Sequence, residues 1–227
     1  MAKLAAMPRT ALVTGANRGI GLALCRRLKE KGRDVIAVCR KSSPELDALG
    51  VRVEAGVDVT SDEAVAALAQ RLSGAALDEL ICNAGILRDE GLDDRAYEDI
   101  REQFEVNALA PLRVVAALRG NVRRGGKIAL ITSRMGSIAD NGSGGHYGYR
   151  MSKAALNAAG MSMARDLAPS GIAVAILHPG YVRTDMTGKS GNIDASDAAA
   201  QLIDRLDALT PETTGTFWHA NGQVLPW

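Results

Sequence analysis

Tyr149 and Lys153 stand four residues apart in the run Tyr149-Arg150-Met151-Ser152-Lys153. The run opens a helix-like stretch that continues through Ala154, Ala155 and Leu156. Four residues is just over one helical turn, so the two side chains share a face. A phenol alone has a pKa of about 10 and is a poor acid–base catalyst near neutrality. An ammonium group beside it favours the phenolate and lowers that value. The pair therefore reads as a tuned general acid. Tyrosine and lysine also fall at this spacing on helices where the lysine is merely solvated, so the reading depends on the rest of the chain.

A second constellation lies near the N-terminus. Thr10-Ala11-Leu12-Val13-Thr14 is β-prone, Gly15-Ala16-Asn17-Arg18-Gly19-Ile20-Gly21 follows, and an amphipathic helix is predicted over 20–31. Glycines at such a turn permit positive φ and let a ligand approach the backbone closely. The helix start then offers unpaired N–H groups and a positive dipole end to a phosphate. The spacing is Gly-x-x-x-Gly-x-Gly, not the Gly-x-Gly-x-x-Gly of long-chain dinucleotide enzymes. An ordinary flexible loop has glycines too; the strand before and the helix after make this one a candidate phosphate cradle.

The elements that must position these groups alternate along the chain. Strands are predicted over 34–39, 51–55, 77–82, 127–132, 172–177 and 215–218. Helices are predicted over 61–73, 94–119, 149–168 and 196–209, with Pro111 a possible kink in the second. Asn221-Gly222 reads as a tight hairpin turn. Nearly continuous apolar strands between helices indicate a parallel sheet covered on both faces. Ligands of such sheets bind beyond the carboxyl ends of the strands. Gly15, Asn83, Ser133 and Pro179 all fall at or just past such an end.

Composition narrows the classes. The 227 residues suit one α/β domain spanning 1–227, without room for a separate catalytic domain of usual size. A formal net charge of +1 and no basic cluster argue against nucleic acid as a main partner. Cys25, Cys39 and Cys82 each lie in an apolar helix or strand, so free buried thiols and a reducing cytoplasm are expected. No metal-ligand spacing is present. The opening Met1-Ala2-Lys3-Leu4-Ala5-Ala6-Met7-Pro8 does not read as a signal peptide, and no apolar run reaches membrane-spanning length.

Taken together, these residues resemble the short-chain dehydrogenase/reductase family over essentially the whole chain. Thr14 to Gly21 is similar to its cofactor fingerprint, and Asp58-Val59 to the pair that meets the adenine. Asn83-Ala84-Gly85 is similar to its motif after the fourth strand, and Pro179-Gly180-Tyr181-Val182-Arg183-Thr184 to the segment reaching the nicotinamide carboxamide. Asn107, Ser133, Tyr149 and Lys153 match its catalytic tetrad in order and approximate spacing. Arg134-Met135-Gly136-Ser137, the Tyr-Gly-Tyr-Arg-Met-Ser-Lys run and the terminal Gly222 to Trp227 look most like the C-factor and carbonyl-reductase-like branch. The resemblance implies a Rossmann-like, doubly wound parallel sheet. It implies an oxidoreductase that reduces an aldehyde or ketone to an alcohol.

In that scheme Tyr149 donates the proton, and Lys153 lowers its pKa and binds the nicotinamide ribose. Ser133 holds the carbonyl oxygen, and Asn107 holds a water that links Lys153 to solvent. Cofactor contacts are expected from Gly15, Asn17, Arg18, Gly19, Ile20, Gly21, Arg40, Asp58, Val59, Asn83, Ala84, Gly85, Pro179, Gly180, Val182 and Thr184. Enzymes of this kind that prefer NAD place an acid at the end of the second strand. Here Cys39 stands there and Arg40-Lys41 follow, with Arg18 nearby, so NADP(H) is expected over NAD(H).

Some neighbours compete for roles. Thr132 is expected to point to the opposite side of its strand from Ser133. Tyr147 is not one turn from Lys153. His178 reads as structural, and His146, in a glycine-rich loop, as a possible wall of the substrate site. A C-factor-like signalling or scaffold protein with vestigial catalysis is the competing reading; none of Ser133, Tyr149 or Lys153 is missing. Helices 94–119 and 149–168 carry many small residues, and the family's corresponding helices pair about a two-fold axis, so a homodimer or homotetramer is expected. Only 185–193 separates Thr184 from the next helix, too little for a substantial lid.

Overall fold

The computed structural model describes residues 8–94 and 96–227. The segment 1–7, most of the stretch read above as no signal peptide, and Arg95, within the predicted helix 94–119, lie outside the described residues. Seven strands form one parallel sheet: β1 (Thr10–Thr14), β2 (Asp34–Val38), β3 (Arg52–Glu54), β4 (Leu77–Cys82), β5 (Val122–Ile131), β6 (Ala173–His178) and β9 (Phe217–His219). Their spatial order is β3-β2-β1-β4-β5-β6-β9. A separate parallel pair joins β7 (Val182–Arg183) to β8 (Ile193–Asp194). The helices are α1 (Gly19–Glu30), α2 (Pro44–Asp47), α3 (Asp62–Arg71), α4 (Tyr97–Phe104), α5 (Ala110–Leu118), α6 (Tyr147–Leu167) and α7 (Ala195–Ala208).

The strands are buried on both faces, which is why they read as apolar runs rather than alternating ones. On one side Leu24 and Leu28 of α1 and Leu202 and Leu206 of α7 pack with Val13 and Ala37. On the other, Leu68 of α3, Val114 and Leu118 of α5 and Leu156 of α6 pack with Leu12 and Leu80. The chain runs outward from β1 to β2 and β3, then returns to place β4 on the other side of β1. The order therefore reverses between β1 and β4, and that reversal opens a crevice at the carboxyl ends of the strands. Among the described residues no helix is long and apolar enough to cross a membrane.

The predicted helix 94–119 is broken in two. A π-helical turn, Glu105–Leu109, separates α4 from α5. Pro111 sits in the first turn of α5. Having no N–H, it cannot donate to the carbonyl of Asn107 four residues back, and the wider π turn carries the chain past that gap. The short elements α2, β7 and β8 have no counterpart in the sequence reading, and β5 starts at Val122 rather than 127. The hairpin after β9 forms as expected: Gly222 takes φ 100°, and Leu225 N donates to Phe217 O at 2.8 Å.

Candidate functional site

The crevice at the strand reversal opens into a cleft of ≈ 1100 Å³. Its floor is the glycine turn after β1. Gly15 has φ 65°, and a Cβ there would come within 2.8 Å of the Ala84 backbone. A Cβ on Gly21 would strike the Gly15 carbonyl and come within 2.6 Å of Asn83 Nδ2. Two turns are thus pressed together where only glycine fits. Thr14 cross-links them: its hydroxyl accepts the N–H groups of Asn83 at 3.0 Å and Ala84 at 3.2 Å. Asn83 Nδ2 donates back to Thr14 O at 3.0 Å. The helix that starts here has no side-chain cap and no acid in its first turn. Its free N–H groups and positive dipole end face the cleft, as a pyrophosphate requires. The residues therefore fit a dinucleotide.

Away from the glycine turn, Arg40, Lys41, Asp58 and Val59 line one end of the cleft. Asp58 is tied down by the Thr60 hydroxyl at 2.7 Å and the Thr60 N–H at 2.9 Å, which hold its carboxyl below the usual range. Arg40 is exposed and in no ion pair among the described residues. Arg18 is loosely held, 4.0 Å from Asp185 and 71 % exposed. Cys39 also borders the cleft, but it is 4 % exposed and packs in the same apolar cluster as Cys25 and Leu46. An acid at position 39 would therefore be buried in that cluster.

The other end of the cleft holds the acid–base groups. Tyr149 and Lys153 project from the first turns of α6, and Ser133 follows β5. The Lys153 ammonium donates to Ile131 O at 2.9 Å and lies 5.7 Å from the centre of the Tyr149 ring, over its face. The sequence reading had this ammonium lowering the Tyr149 pKa. In the folded chain burial instead pushes Tyr149 up to about 12, with the Ser133 hydroxyl acting in the lowering direction. Burial brings Lys153 down to about 8. The ammonium is directed at a carbonyl rather than at the phenol oxygen, so desolvation outweighs it.

Thr132 turns away from Ser133, as strand alternation requires, and donates to Asn157 Oδ1 at 2.7 Å. Asn107 is fully buried in the π turn. Its Oδ1 accepts from Ile86 N at 2.8 Å, and its Nδ2 donates to Ile86 O at 2.9 Å and Ser152 Oγ at 3.1 Å. The amide is thus committed to holding the loop that leaves Gly85.

Most of the predicted cofactor residues converge on the cleft: Gly15, Asn17, Arg18, Gly19, Ile20, Gly21, Arg40, Asp58, Val59, Asn83, Ala84, Gly85, Tyr149, Lys153, Pro179 and Thr184 line it. Gly180 and Val182 do not. Val182 is buried and pairs with Ile193 in the small sheet, and Gly180, at φ 94°, turns the chain beside His219. Asn107 and Ser133 are buried outside the lining. His178 stacks edge-on against His219 with ring centres 4.9 Å apart, and burial drives it down to about 3. His146 is not a wall of the cleft; it lies 3.1 Å from Asp89 at the start of α6. Sequence reasoning placed Thr14 in the glycine motif without foreseeing its cross-link to Asn83 and Ala84, and it missed Arg150. Arg150 donates to Gly145 O at 3.1 Å and Ser143 Oγ at 2.8 Å, fixing the glycine-rich loop. Both act across long chain separations or through main-chain acceptors, which leave no local pattern.

A parallel sheet that reverses at a glycine cradle, with a Tyr–Lys–Ser cluster beside it, defines a dinucleotide-binding α/β protein built for proton transfer. The profile of the short chain dehydrogenase family matches residues 9–194, and the chain belongs to that family. It is 46 % identical over 224 residues to 1-hydroxy-2-glutathionyl-2-methyl-3-butene dehydrogenase of Rhodococcus sp. (strain AD45), covering 96 % of this chain and 99 % of that one. It is 45 % identical over 157 residues to C-signal of Myxococcus xanthus, covering 66 % of this chain and 93 % of that protein. An NADPH-bound carbonyl reductase from chicken fatty liver superposes with a TM-score of 0.86 at 30 % identity, covering 97 % and 99 % of the two chains.

Proposed function

We propose that this chain is an NADPH-dependent carbonyl reductase with Tyr149 as its general acid. The observation that supports this most is that Tyr149, with Ser133 hydrogen-bonded behind it, and Lys153 stand at one end of a cleft that also carries the glycine cradle and Arg40. The cradle of Gly15, Gly19 and Gly21 would hold the pyrophosphate, and Lys153 the nicotinamide ribose. Arg18 and Arg40 would hold a 2′-phosphate, favouring NADPH over NADH. When bound, the reduced nicotinamide supplies the hydride that reaches the carbonyl carbon.

The chain's own groups handle the oxygen. Ser133 donates a hydrogen bond to the carbonyl oxygen, which follows the negative charge that develops there. Tyr149 then gives up its O–H proton to that oxygen, completing the alcohol. A phenol at about 12 holds its proton firmly, so Ser133 and the Lys153 charge must favour the phenolate as the proton leaves. Asn107 would hold a water that links Lys153 to solvent, through which Tyr149 would be reprotonated. The similarity to C-signal does not displace this reading, because the full acid–base set is present and convergent.

The segment after Thr184 turns at Asp185–Thr187 and returns into β8, so no long lid covers the substrate end. We infer a broad site for aldehydes and ketones, each bound weakly. We also propose a homodimer or homotetramer through α4, α5 and α6, and residence in the cytoplasm, in keeping with three free buried cysteines.

The test follows reduced-cofactor absorbance, with NADPH or NADH, over aliphatic and aromatic carbonyls. A glutathione-conjugated alcohol, the substrate type in the Rhodococcus enzyme's name, is run in the oxidative direction. Turnover of several carbonyls with NADPH supports the proposal. Tight NADPH binding with no turnover in either direction overturns it.

A further inference from the structure

Glu90 has no part in the chemistry above, yet it lies directly beneath the helix that carries the acid. It is 2 % exposed. Its Oε1 accepts the N–H of Gly148, the residue immediately before Tyr149. The same oxygen accepts Nε2 of the fully buried Gln103 at 3.1 Å. The Glu90 main-chain carbonyl accepts the N–H of His146 at 3.1 Å. Two N–H groups at the start of α6 therefore end on one residue.

Nothing on α6 itself supplies this. His146 stands at the N-cap with φ 50° and makes no side-chain cap, and the first turn contains no acid. A carboxylate near a helix N-terminus is electrostatically favoured. The fit is tight: a Cβ on Gly148 would lie 2.5 Å from both Glu90 Oε1 and Gln103 Nε2. Position 148 therefore has to be glycine for the carboxylate to reach. The arrangement also has a cost. Oε2 of Glu90 is buried without a hydrogen-bond partner among the described residues, and an unsatisfied buried polar atom costs about 1–3 kcal/mol. A Ser or Asp at the N-cap would close the helix end without it. Holding α6 from beneath adds something a cap on α6 does not. It ties the axial position of the helix to the loop after β4, where Gly85 and Ile86 line the cleft. Arg150 completes the hold from the other side by donating to Met135 O at 3.4 Å, in the turn that follows Ser133.

We infer that Glu90 is a positioning residue for the general acid: through the Gly148 N–H it sets where the Tyr149 hydroxyl stands relative to Ser133. The inference rests on the reading of Tyr149 as the acid. Misplacement of a reacting group by about 1 Å costs on the order of 10²-fold in rate.

The experiment compares Glu90→Leu, Glu90→Gln and Gly148→Ala with the wild-type enzyme. It reads kcat and KM for one carbonyl, NADPH affinity by fluorescence, and Tm. Glu90→Leu is expected to lower kcat about 10²-fold while NADPH affinity stays within about threefold, roughly 0.7 kcal/mol. Glu90→Gln keeps an oxygen for the Gly148 N–H and is expected to restore most of the turnover. Gly148→Ala is expected to reproduce the leucine variant, and carries the test if that variant does not fold. The inference is overturned by a leucine or alanine variant that keeps kcat within threefold. It is equally overturned if kcat and NADPH affinity fall together, or if glutamine falls as far as leucine. Tyr149→Phe is run beside these: full activity there defeats the reading of the acid, whatever the Glu90 variants do.

Discussion

The two ends of the same strands bury charge in opposite ways. At the amino ends, Glu79 is fully buried, with Arg9 at 2.7 Å on one carboxylate oxygen and Arg33 at 2.8 Å on the other. Arg33 also pairs with Asp207, which accepts from Lys31 at 3.0 Å, and Lys127 donates to Leu206 O and Asp207 O at 2.7 Å. Every charge there faces an opposite charge or a carbonyl of the fold. At the carboxyl ends, Lys153 is buried as well but, among the described residues, faces no carboxylate and gives a single hydrogen bond, to Ile131 O. Burial lowers it to about 8 and raises Tyr149 to about 12. The first cluster is paired within the fold and lies outside the cleft lining, so it acts on stability. Burial shifts groups at both ends, raising Glu79 and lowering Lys127 as well; what sets the second apart is that Tyr149 and Lys153 line the cleft with donors left over.

The sharpest way to break this contrast is to remove one group from each end. Tyr149→Phe keeps the ring packing and removes the proton donor. Its turnover should drop by about 10²- to 10⁴-fold, the usual general-acid contribution, with Tm unchanged in calorimetry. Glu79→Gln should do the reverse. It removes one of the two carboxylates that face Arg33, 6 % exposed at its side chain, and leaves Asp207 as the other, so a loss of about 1.5–3 kcal/mol is expected. Urea denaturation should show that loss, while kcat of the folded enzyme stays near wild type. If Glu79→Gln alters kcat tenfold with stability intact, the two ends are not functionally separate.

The two clusters also differ in how far the sequence revealed them. Tyr149, Lys153 and the glycine turn were legible because their spacing is local: one helical turn, or one strand-to-helix turn; Ser133 was legible from its place past a strand's carboxyl end and from the family resemblance. The strands and most helices were legible from apolar periodicity, to within a few residues at their ends. The Glu79 cluster was not legible, because it assembles from the residues just before β1 and β2 and from β4, β5 and α7, and has no local pattern. Nor was the π turn at Asn107: Pro111 signalled a break but not that it would be bridged by widening the helix. The direction of the Tyr149 shift was misjudged for a related reason. Spacing fixes that a lysine is near, whereas the carbonyl it points to and the depth of burial depend on the whole fold.

Lys153 sharpens the comparison through pH. Its folded pKa is depressed from 10.5 to about 8. Between those values the unfolded chain holds the proton and the folded chain does not, so this group makes stability rise with pH across that window. Below about 8 both states are charged and the contribution is flat. Cofactor binding should move the other way. An ammonium hydrogen bond contributes about 1.5–3 kcal/mol, so NADPH affinity should fall more than tenfold as pH passes upward through 8. Titration by fluorescence at fixed ionic strength reads this, and Lys153→Met should flatten the curve. A wild-type affinity constant from pH 7 to 9.5 would show that Lys153 does not carry the ribose contact as a cation.

The smallest effect expected is at the 2′-phosphate end, where the charges are exposed and weakly engaged. The natural design for an NAD-preferring variant puts an acid at the end of β2, at Cys39. The structure argues against that choice: Cys39 is 4 % exposed and packs beside Cys25 and Leu46. Cys39→Asp would bury a carboxylate in an apolar cluster, and the stability loss would obscure any change in preference. Arg40→Asp places the acid one residue on, at an exposed position on the cleft wall. It removes an attraction for the phosphate and adds a repulsion. Surface charges act through water and are screened, so a modest change is expected, about tenfold or 1.4 kcal/mol in the NADPH-to-NADH affinity ratio. Salt should lower that ratio in wild type, where it screens an attraction at position 40, and should not lower it as steeply in Arg40→Asp, where it screens a repulsion there instead. Isothermal titration with both cofactors at low and high salt measures ratio and slope together. An unchanged ratio in Arg40→Asp would move the phosphate contact to Arg18, whose distant pairing with Asp185 at 4.0 Å leaves it able to turn into the cleft.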